Sequence, residues 1–344
     1  MITNNGLSRD YNLFKHGVIC LGESKFFYKV LPIKLFKKEI DGYYILKKYY
    51  PVPKLLFSFK DNKNGIIFFE YEKSIDKKPG LLVDLFIRGN LSIEYTQPLL
   101  KMYKKNFLKT LKMRSKSSSE IFFDERINSR LNKWYDRSMI ESFDGKQYIF
   151  NNYQLILNLK RNILSVKKYF AKKQNRWSVI SQCDPTDLNL CLKPVVFDYT
   201  AGGYNPLMAE FATIFWYNLG QGSYLSPIYQ KNVFLKYKEI YKHLGKLKIN
   251  GEQLMYTCAP VRYDFLKVYV DRVITSCFDQ IGKYDNWYEE FKNYFAMRVL
   301  CVFDVRYMTK KDLIFSLCML EYFYNIAPKN PQELLLLTKK LCQF

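Results

Sequence analysis

The stretch Val179–Tyr204, VISQCDPTDLNLCLKPVVFDYTAGGY, constrains this chain more than any other. It opens on an apolar segment and carries Asp184 and Asn189 on a short polar loop. It then runs through an apolar strand, Lys193–Phe197, that ends at Asp198, and closes on the pair Gly202-Gly203. Two carboxylates and an amide thus reach loops at the ends of buried segments, the layout that magnesium-dependent phosphoryl transfer needs. Such a reaction requires a cation held by oxygen ligands. It also requires a carboxylate placed to take the proton of the attacking hydroxyl. Asp198 and Asn189 suit the first duty and Asp184 the second.

Composition removes several alternatives. At 344 residues the chain exceeds one small core, so two lobes are expected. The formal charge of +22 invites a nucleic-acid or anionic-surface reading, weighed equally against a solvated, lysine-rich surface. The basic residues are spread along the chain with no recognised nucleic-acid motif, so a specific nucleic-acid partner is not expected. The same charge argues against a polycationic substrate, which needs acidic walls. Eight cysteines without a CxxC pattern predict free thiols in a reducing cytosol. Two histidines, His16 and His243, are too few and too far apart in sequence for zinc. The N-terminus lacks the apolar core of a signal peptide, and no run approaches the ~18 apolar residues of a membrane helix. A soluble, cytoplasmic protein is expected.

Asp184-Pro-Thr-Asp-Leu-Asn189 followed by Val-Val-Phe-Asp198-Tyr199 resembles the catalytic and metal loops of the aminoglycoside phosphotransferase and choline kinase-like superfamily. That pattern reads His-Gly-Asp, four residues, Asn, then a strand ending in Asp plus an aromatic. Here Gln182 stands for the histidine and Cys183 for the glycine, and Thr200 replaces a common Glu. Gln182 is expected to take over the histidine's hydrogen-bonding part. Glu210, in Glu210-Phe-Ala, stands where the family places an acidic brace for the catalytic loop.

The resemblance implies further roles. Lys29, on a strand over Lys25–Leu31, matches the lysine that grips nucleotide phosphates. Glu39, expected in the first turn of the following helix, matches the carboxylate that aims it, since a lysine on a flexible stem clamps poorly until fixed. Pro51-Val-Pro53 ends that helix. Gly6 and Ser8 resemble a shortened phosphate-covering turn, and Glu70, Tyr71 and Glu72 fall where a hinge would offer its backbone to a nucleobase. Arg262 opens a helix like the one that often lines the family's substrate cleft.

The residues beyond about 76 read as helical. Ile93–Leu111, Ile121–Tyr135 and Asn152–Trp177 fit amphipathic helices, the last as one long basic helix. So do 226–248, 260–282, 285–303 and 310–341. Arg114-Ser-Lys-Ser-Ser-Ser119 reads as a polar linker, with phosphate binding or phosphorylation as its alternative uses. The expected fold is α+β and bilobal, protein kinase-like, with a small β-rich N-lobe (1–75, covering the nucleotide) and a larger, mainly helical C-lobe (76–344). The expected activity is transfer of a γ-phosphoryl group from ATP or GTP, with Mg2+, to a hydroxyl of a small molecule or peptide, which an anionic acceptor would also satisfy. Two rivals remain: a pseudokinase that binds without turnover, signalled by Gln182 and Cys183, and a basic nucleic-acid-binding protein.

Overall fold

In the computed structural model, the described residues are 2–3, 15–119, 123, 125–228 and 230–342. Gly6 and Ser8 lie outside them. An antiparallel five-stranded sheet occupies the N-terminal region: β1 (Ile2–Thr3), β2 (Lys15–Leu21), β3 (Ser24–Pro32), β4 (Leu55–Lys60) and β5 (Asn64–Glu70), in the order β1-β2-β3-β5-β4. A two-residue turn with Gly22 at φ 58° joins β2 to β3, a backbone conformation that glycine adopts without strain. The β4–β5 turn is tied by the Asp61 carboxylate, which accepts from the backbone N–H groups of Lys63 and Asn64. Between β3 and β4 runs α1 (Ile33–Leu46), whose buried face includes Phe36, Glu39, Tyr43 and Leu46.

The larger part is mainly helical. Its first helices are α2 (Leu82–Arg88) and α3 (Ile93–Thr110), and α4 (Leu159–Ala171) follows further along. At the centre is α5 (Leu207–Leu219), every residue of which is buried. Around it stand α6 (Pro260–Tyr269), α7 (Thr275–Ile281), α8 (Trp287–Cys301), α9 (Lys310–Asn325) and α10 (Pro331–Cys342). Many of the 27 phenylalanines and 29 tyrosines pack here. Phe211, Phe215, Phe291, Phe295 and Phe323 interlock, with Phe215 meeting Phe291 and Phe323 edge-to-face at 5.2 Å. All eight cysteines are free thiols, and all but Cys20 are buried. No helix among the described residues is long and apolar enough to cross a membrane.

Several helical expectations fail for local reasons. Asn152–Trp177 is not one helix but β8 (Tyr153–Ile156), α4 and β9 (Arg176–Ser181). The period is two over Tyr153–Ile156, where burial alternates, and the polar Gln174-Asn175 pair interrupts the helix before β9. Residues 226–248 hold one short α-turn and a 3-10 turn, and end in β11 (Lys246–Asn250), which pairs with β12 (Gln253–Thr257) across a turn carrying Gly251 at φ 56°. Those strands join β7 (Gln147–Phe150) and β8 in the order β11-β12-β7-β8. Within Ile121–Tyr135, the described 126–131 is a π-helical turn. The expected strand Lys193–Phe197 is reduced to one bridge, Leu190 to Val196, because Pro194 has no N–H to give a ladder.

Site-bearing loops hang from a third, small sheet. β6 (Lys112–Arg114), β9 and β10 (Gly203–Pro206) lie in the order β10-β9-β6. The loop carrying Asp184 leaves the end of β9, and the loop carrying Asp198 arrives at the start of β10. Pairing of Gly203 with Ser181 therefore holds the two together.

Candidate active site

Lys29 is on β3, in register between His16 and Ile67. Its ammonium donates to Glu39 Oε1 at 2.6 Å and to Asp198 Oδ1 at 3.3 Å. The lysine side chain is 11% exposed and Glu39 is fully buried, so the pair is dry on one side, whereas Asp198 is 43% exposed. Glu39 sits in the second turn of α1 rather than the first, because the helix begins at Ile33. Burial works to lower the Lys29 pKa, but the charges of Asp198 and Glu39 and their hydrogen bonds outweigh it and raise it above its ordinary value. Burial likewise works to raise the Asp198 pKa, yet the Lys29 charge and hydrogen bonds from Lys29 and Thr200 hold it below the usual carboxylate range.

Thr200 completes this cluster. Its hydroxyl has one proton, with Glu39 Oε2 at 2.5 Å as the nearer acceptor and Asp198 Oδ1 at 3.2 Å as the other. Asp198 itself takes φ 62°, a left-handed conformation that costs a non-glycine residue about 1–3 kcal/mol and that clusters at functional sites.

Close backbone packing fixes α1 against this loop. A Cβ at Gly42 would lie 1.9 Å from the Tyr199 carbonyl oxygen, and one at Gly202 would lie 2.9 Å from Gly42 Cα. Glycine inside a helix costs roughly 1 kcal/mol against alanine, and here the contact requires it.

The Asp184 loop is braced from several elements. Asp184 Oδ1 accepts from Arg298 Nη1 at 3.0 Å, and Arg298 Nη2 donates to the Cys183 carbonyl at 2.6 Å. Arg298, near the end of α8, is 5% exposed, and Asp184 is 36% exposed. Burial works to lower the arginine's pKa, but the Asp184 charge more than restores it. The Asn189 amide nitrogen donates to the Asp184 carbonyl at 3.1 Å and to Asp184 Oδ2 at 3.3 Å. Cys183, in the glycine's place, takes φ 62°, the conformation glycine adopts at no steric cost.

Gln182 does not play its expected part. Its side chain is buried, and neither its amide nitrogen nor its oxygen has a hydrogen-bond partner among the described residues. The bracing comes from elsewhere. Asp187, inside the same loop, pairs through Oδ2 with Arg262 Nη2 at 2.9 Å, and both side chains are almost wholly buried. Arg262 Nη1 also donates to the Tyr217 carbonyl at 3.0 Å, and its guanidinium lies over the Phe86 ring at 4.5 Å. Arg262 is thus a buried brace of the loop that carries Asp184.

Glu210 sits in the first turn of α5, fully buried, and Ser181 donates a short hydrogen bond to it. Burial pushes its pKa up to about 7, against that hydrogen bond and the Arg298 charge. The folded pKa is above the unfolded value of ~4.3, so the folded chain holds an extra proton between the two. Its stabilisation is complete below ~4.3 and disappears as pH rises through 7. Glu210→Gln is expected to flatten the decline in melting temperature between pH 5 and 8, by on the order of 3 kcal/mol at most. Parallel melting curves for variant and wild type across that range would refute it.

Among the expected hinge residues, Glu70 closes β5 opposite Phe26. The Tyr71 hydroxyl donates to Asp76 Oδ1 at 2.6 Å, and Glu72 accepts from the Ser74 N–H at 3.0 Å. Their side chains fix the connector, while the Tyr71 backbone groups enter none of the described backbone hydrogen bonds.

The sequence singled out Lys29, Glu39, Asp184, Asn189 and Asp198. The structure joins Lys29, Glu39 and Asp198 in one cluster and Asp184 and Asn189 in another, on loops whose flanking strands pair. The same reading missed Arg298, Thr200, Asp187 and the bracing use of Arg262. A lone arginine inside the apolar run of α8, as inside α6, was the available signal, because a buried charge demands a partner.

No protein-family model and no curated protein matches the chain. Solved structures do. Aminoglycoside phosphotransferase APH(4)-Ia aligns with a TM-score of 0.50 and 10% identity, over 92% of this chain and 91% of that one. The apo form of a thermostable mutant of APH(4)-Ia gives 0.50 and 10%, over 92% of both chains. Spectinomycin phosphotransferase APH(9)-Ia, in complex with ADP and spectinomycin, gives 0.40 and 11%, over 88% of both. At such identities the likeness is one of fold. The chain has the α+β, kinase-like fold that its loop motifs implied, with a β-rich N-terminal region and a larger helical part.

Proposed function

We propose that this protein is a phosphotransferase that moves the γ-phosphoryl group of ATP or GTP to a hydroxyl of a small molecule or peptide. The observation that carries the reading is the chain Glu39–Lys29–Asp198, with its 2.6 and 3.3 Å contacts. It links the N-terminal sheet to the loop beside Asp184. A lysine gripped from both sides is a rigid clamp for nucleotide phosphates, and Glu39 and Asp198 supply that grip. Residues 1–75 would cover the nucleotide and 76–344 would carry the chemistry. Glu70–Glu72 would form the hinge, with the Tyr71 backbone offered to the base.

Asn189 and Asp198 fit magnesium by the chemistry of their donors, an amide oxygen and a carboxylate. Donation by the Asn189 nitrogen to Asp184 leaves its oxygen without a hydrogen-bond donor among the described residues. When bound, the cation would neutralise charge between the phosphates. The rest belongs to the chain. Asp184, steadied by Arg298 and Asn189, would orient the acceptor hydroxyl and take its proton. Lys29 would hold the phosphates, and the buried brackets around the loop keep these groups from re-orienting during transfer.

The test is calorimetric binding of ATP and GTP with and without magnesium, to wild type and to Asp198→Ala. Magnesium-dependent binding to wild type is expected, weakened by about tenfold or more in the variant. Absence of nucleotide binding to the wild type overturns the proposal.

A further inference from the structure

Away from the Asp184 loop, a cleft of about 440 Å³ opens between the end of α1 and the small β10-β9-β6 sheet. Ile180 and Tyr204, paired across β9 and β10, form its floor. Its rim carries Lys48, Arg114, Lys116, Ser117 and Ser118, and no acidic residue is among its lining groups. The first three side chains make no ion pair with any described residue, although Arg114 lies over the Tyr204 ring at 4.8 Å. Lys112 adds a further positive charge beside them, 4.5 Å over the same ring. Concentrating like charges on one concave wall costs energy unless an anion offsets it.

The serine loop is not a loose linker. The Ser118 N–H donates to the Tyr204 carbonyl at 2.8 Å, and the Ser119 N–H donates to Asn205 Oδ1 at 3.0 Å. Ser117 Oγ bonds Ser119 Oγ at 2.8 Å and donates to Asn205 at 3.3 Å. The Ser118 hydroxyl makes no hydrogen bond with a described residue and packs over Gly203, where a Cβ would come within 2.0 Å of it. One anchored hydroxyl donor, one ring-stacked guanidinium fork and two ammonium groups therefore face a common space. Arginine pairs bidentately with phosphate, lysine adds point charge, and a fork held by an aromatic face loses little freedom on binding.

We infer that this cleft is a second binding site, separate from that of the nucleotide, for a small phosphate-bearing anion held by Arg114, Lys116, Lys48 and Ser118. The cleft's size suits a compact metabolite or a short polyphosphate rather than a polymer. Two sources share this chemistry: inorganic polyphosphate and an organic phosphate ester. The ligand bridges the end of α1 to the strand that follows Asp198.

The experiment titrates inorganic pyrophosphate and, separately, fructose 6-phosphate into the full chain, without magnesium, by calorimetry. Wild type, the double variant Arg114→Ala/Lys116→Ala and Lys29→Ala are compared. Saturable binding of at least one probe is expected in wild type. It should weaken by about tenfold or more in the double variant, which removes charge-assisted hydrogen bonds, and persist in Lys29→Ala. Tighter binding of pyrophosphate assigns the inorganic source, and tighter binding of the ester assigns the organic one. The two exposed substitutions should leave circular dichroism and melting temperature unchanged, so a loss of binding is not a loss of fold. No saturable binding of either probe to wild type, unchanged binding in the double variant, or loss confined to Lys29→Ala overturns the assignment.

Discussion

Asp184→Asn is expected to lower turnover by about 10²- to 10⁴-fold while leaving magnesium–nucleotide affinity near that of wild type. Asparagine keeps the shape of the side chain and one oxygen for Arg298, and Asn189 keeps its bond to the backbone carbonyl at 184. What disappears is the ability to take a proton from an acceptor hydroxyl. Alanine would be a poorer probe, because Arg298 is only 5% exposed and would lose its side-chain acceptor at position 184 altogether. Product formation under saturating nucleotide is the measurement, with nucleotide binding measured in parallel. Turnover within a factor of a few of wild type would remove Asp184 from the role of base. Equal loss of nucleotide binding would point instead to a collapsed loop.

Arg262→Ala is expected to destabilise the fold by about 3–5 kcal/mol, the cost of leaving a buried charge without its partner. Asp187 is almost wholly buried, and Arg262 is its cationic partner. The substitution also exposes the Tyr217 carbonyl to loss of a donor and empties space over the Phe86 ring. Asp187→Asn should also destabilise, since the amide retains an oxygen for Arg262 but leaves that buried guanidinium without an opposite charge. Chemical denaturation midpoints decide the matter. A loss below about 1 kcal/mol for Arg262→Ala would mean that the pair does not hold the loop.

The candidate site was legible in the sequence where a proposed chemistry dictates residue type at fixed spacing. Asp184, Asn189 and Asp198 belong to one short stretch, and Lys29 with Glu39 lies close in the chain, so local order sufficed. Arg298 and Arg262 were not legible as partners, because Arg298 is 114 positions from Asp184 and Arg262 is 75 from Asp187. Gln182 misled for a related reason. A polar side chain looks like a hydrogen-bonding substitute until its surroundings are known, and the described residues around Gln182 offer it no partner. In the fold, the antiparallel N-terminal strands and α1 were readable from alternation and from Pro51-Val-Pro53. The hairpin of β11 and β12 was not, because Lys246–Asn250 is too short for its period of two to outweigh the helical pattern before it. Thr200, read only as an absent glutamate, became a bridge between two carboxylates once α1 was folded against it.

The fit of Gly42 against the Tyr199 carbonyl has a mechanical consequence. With no side chain between them, α1 and the Asp198 loop meet backbone to backbone at Gly42, and the helix cannot swing out without breaking that contact. An off-state made by displacing Glu39 from Lys29 is therefore costly for this chain. A pivot at Tyr71–Glu72 would meet the same resistance, because it would draw α1 and Lys29 away from the Tyr199 carbonyl and Asp198.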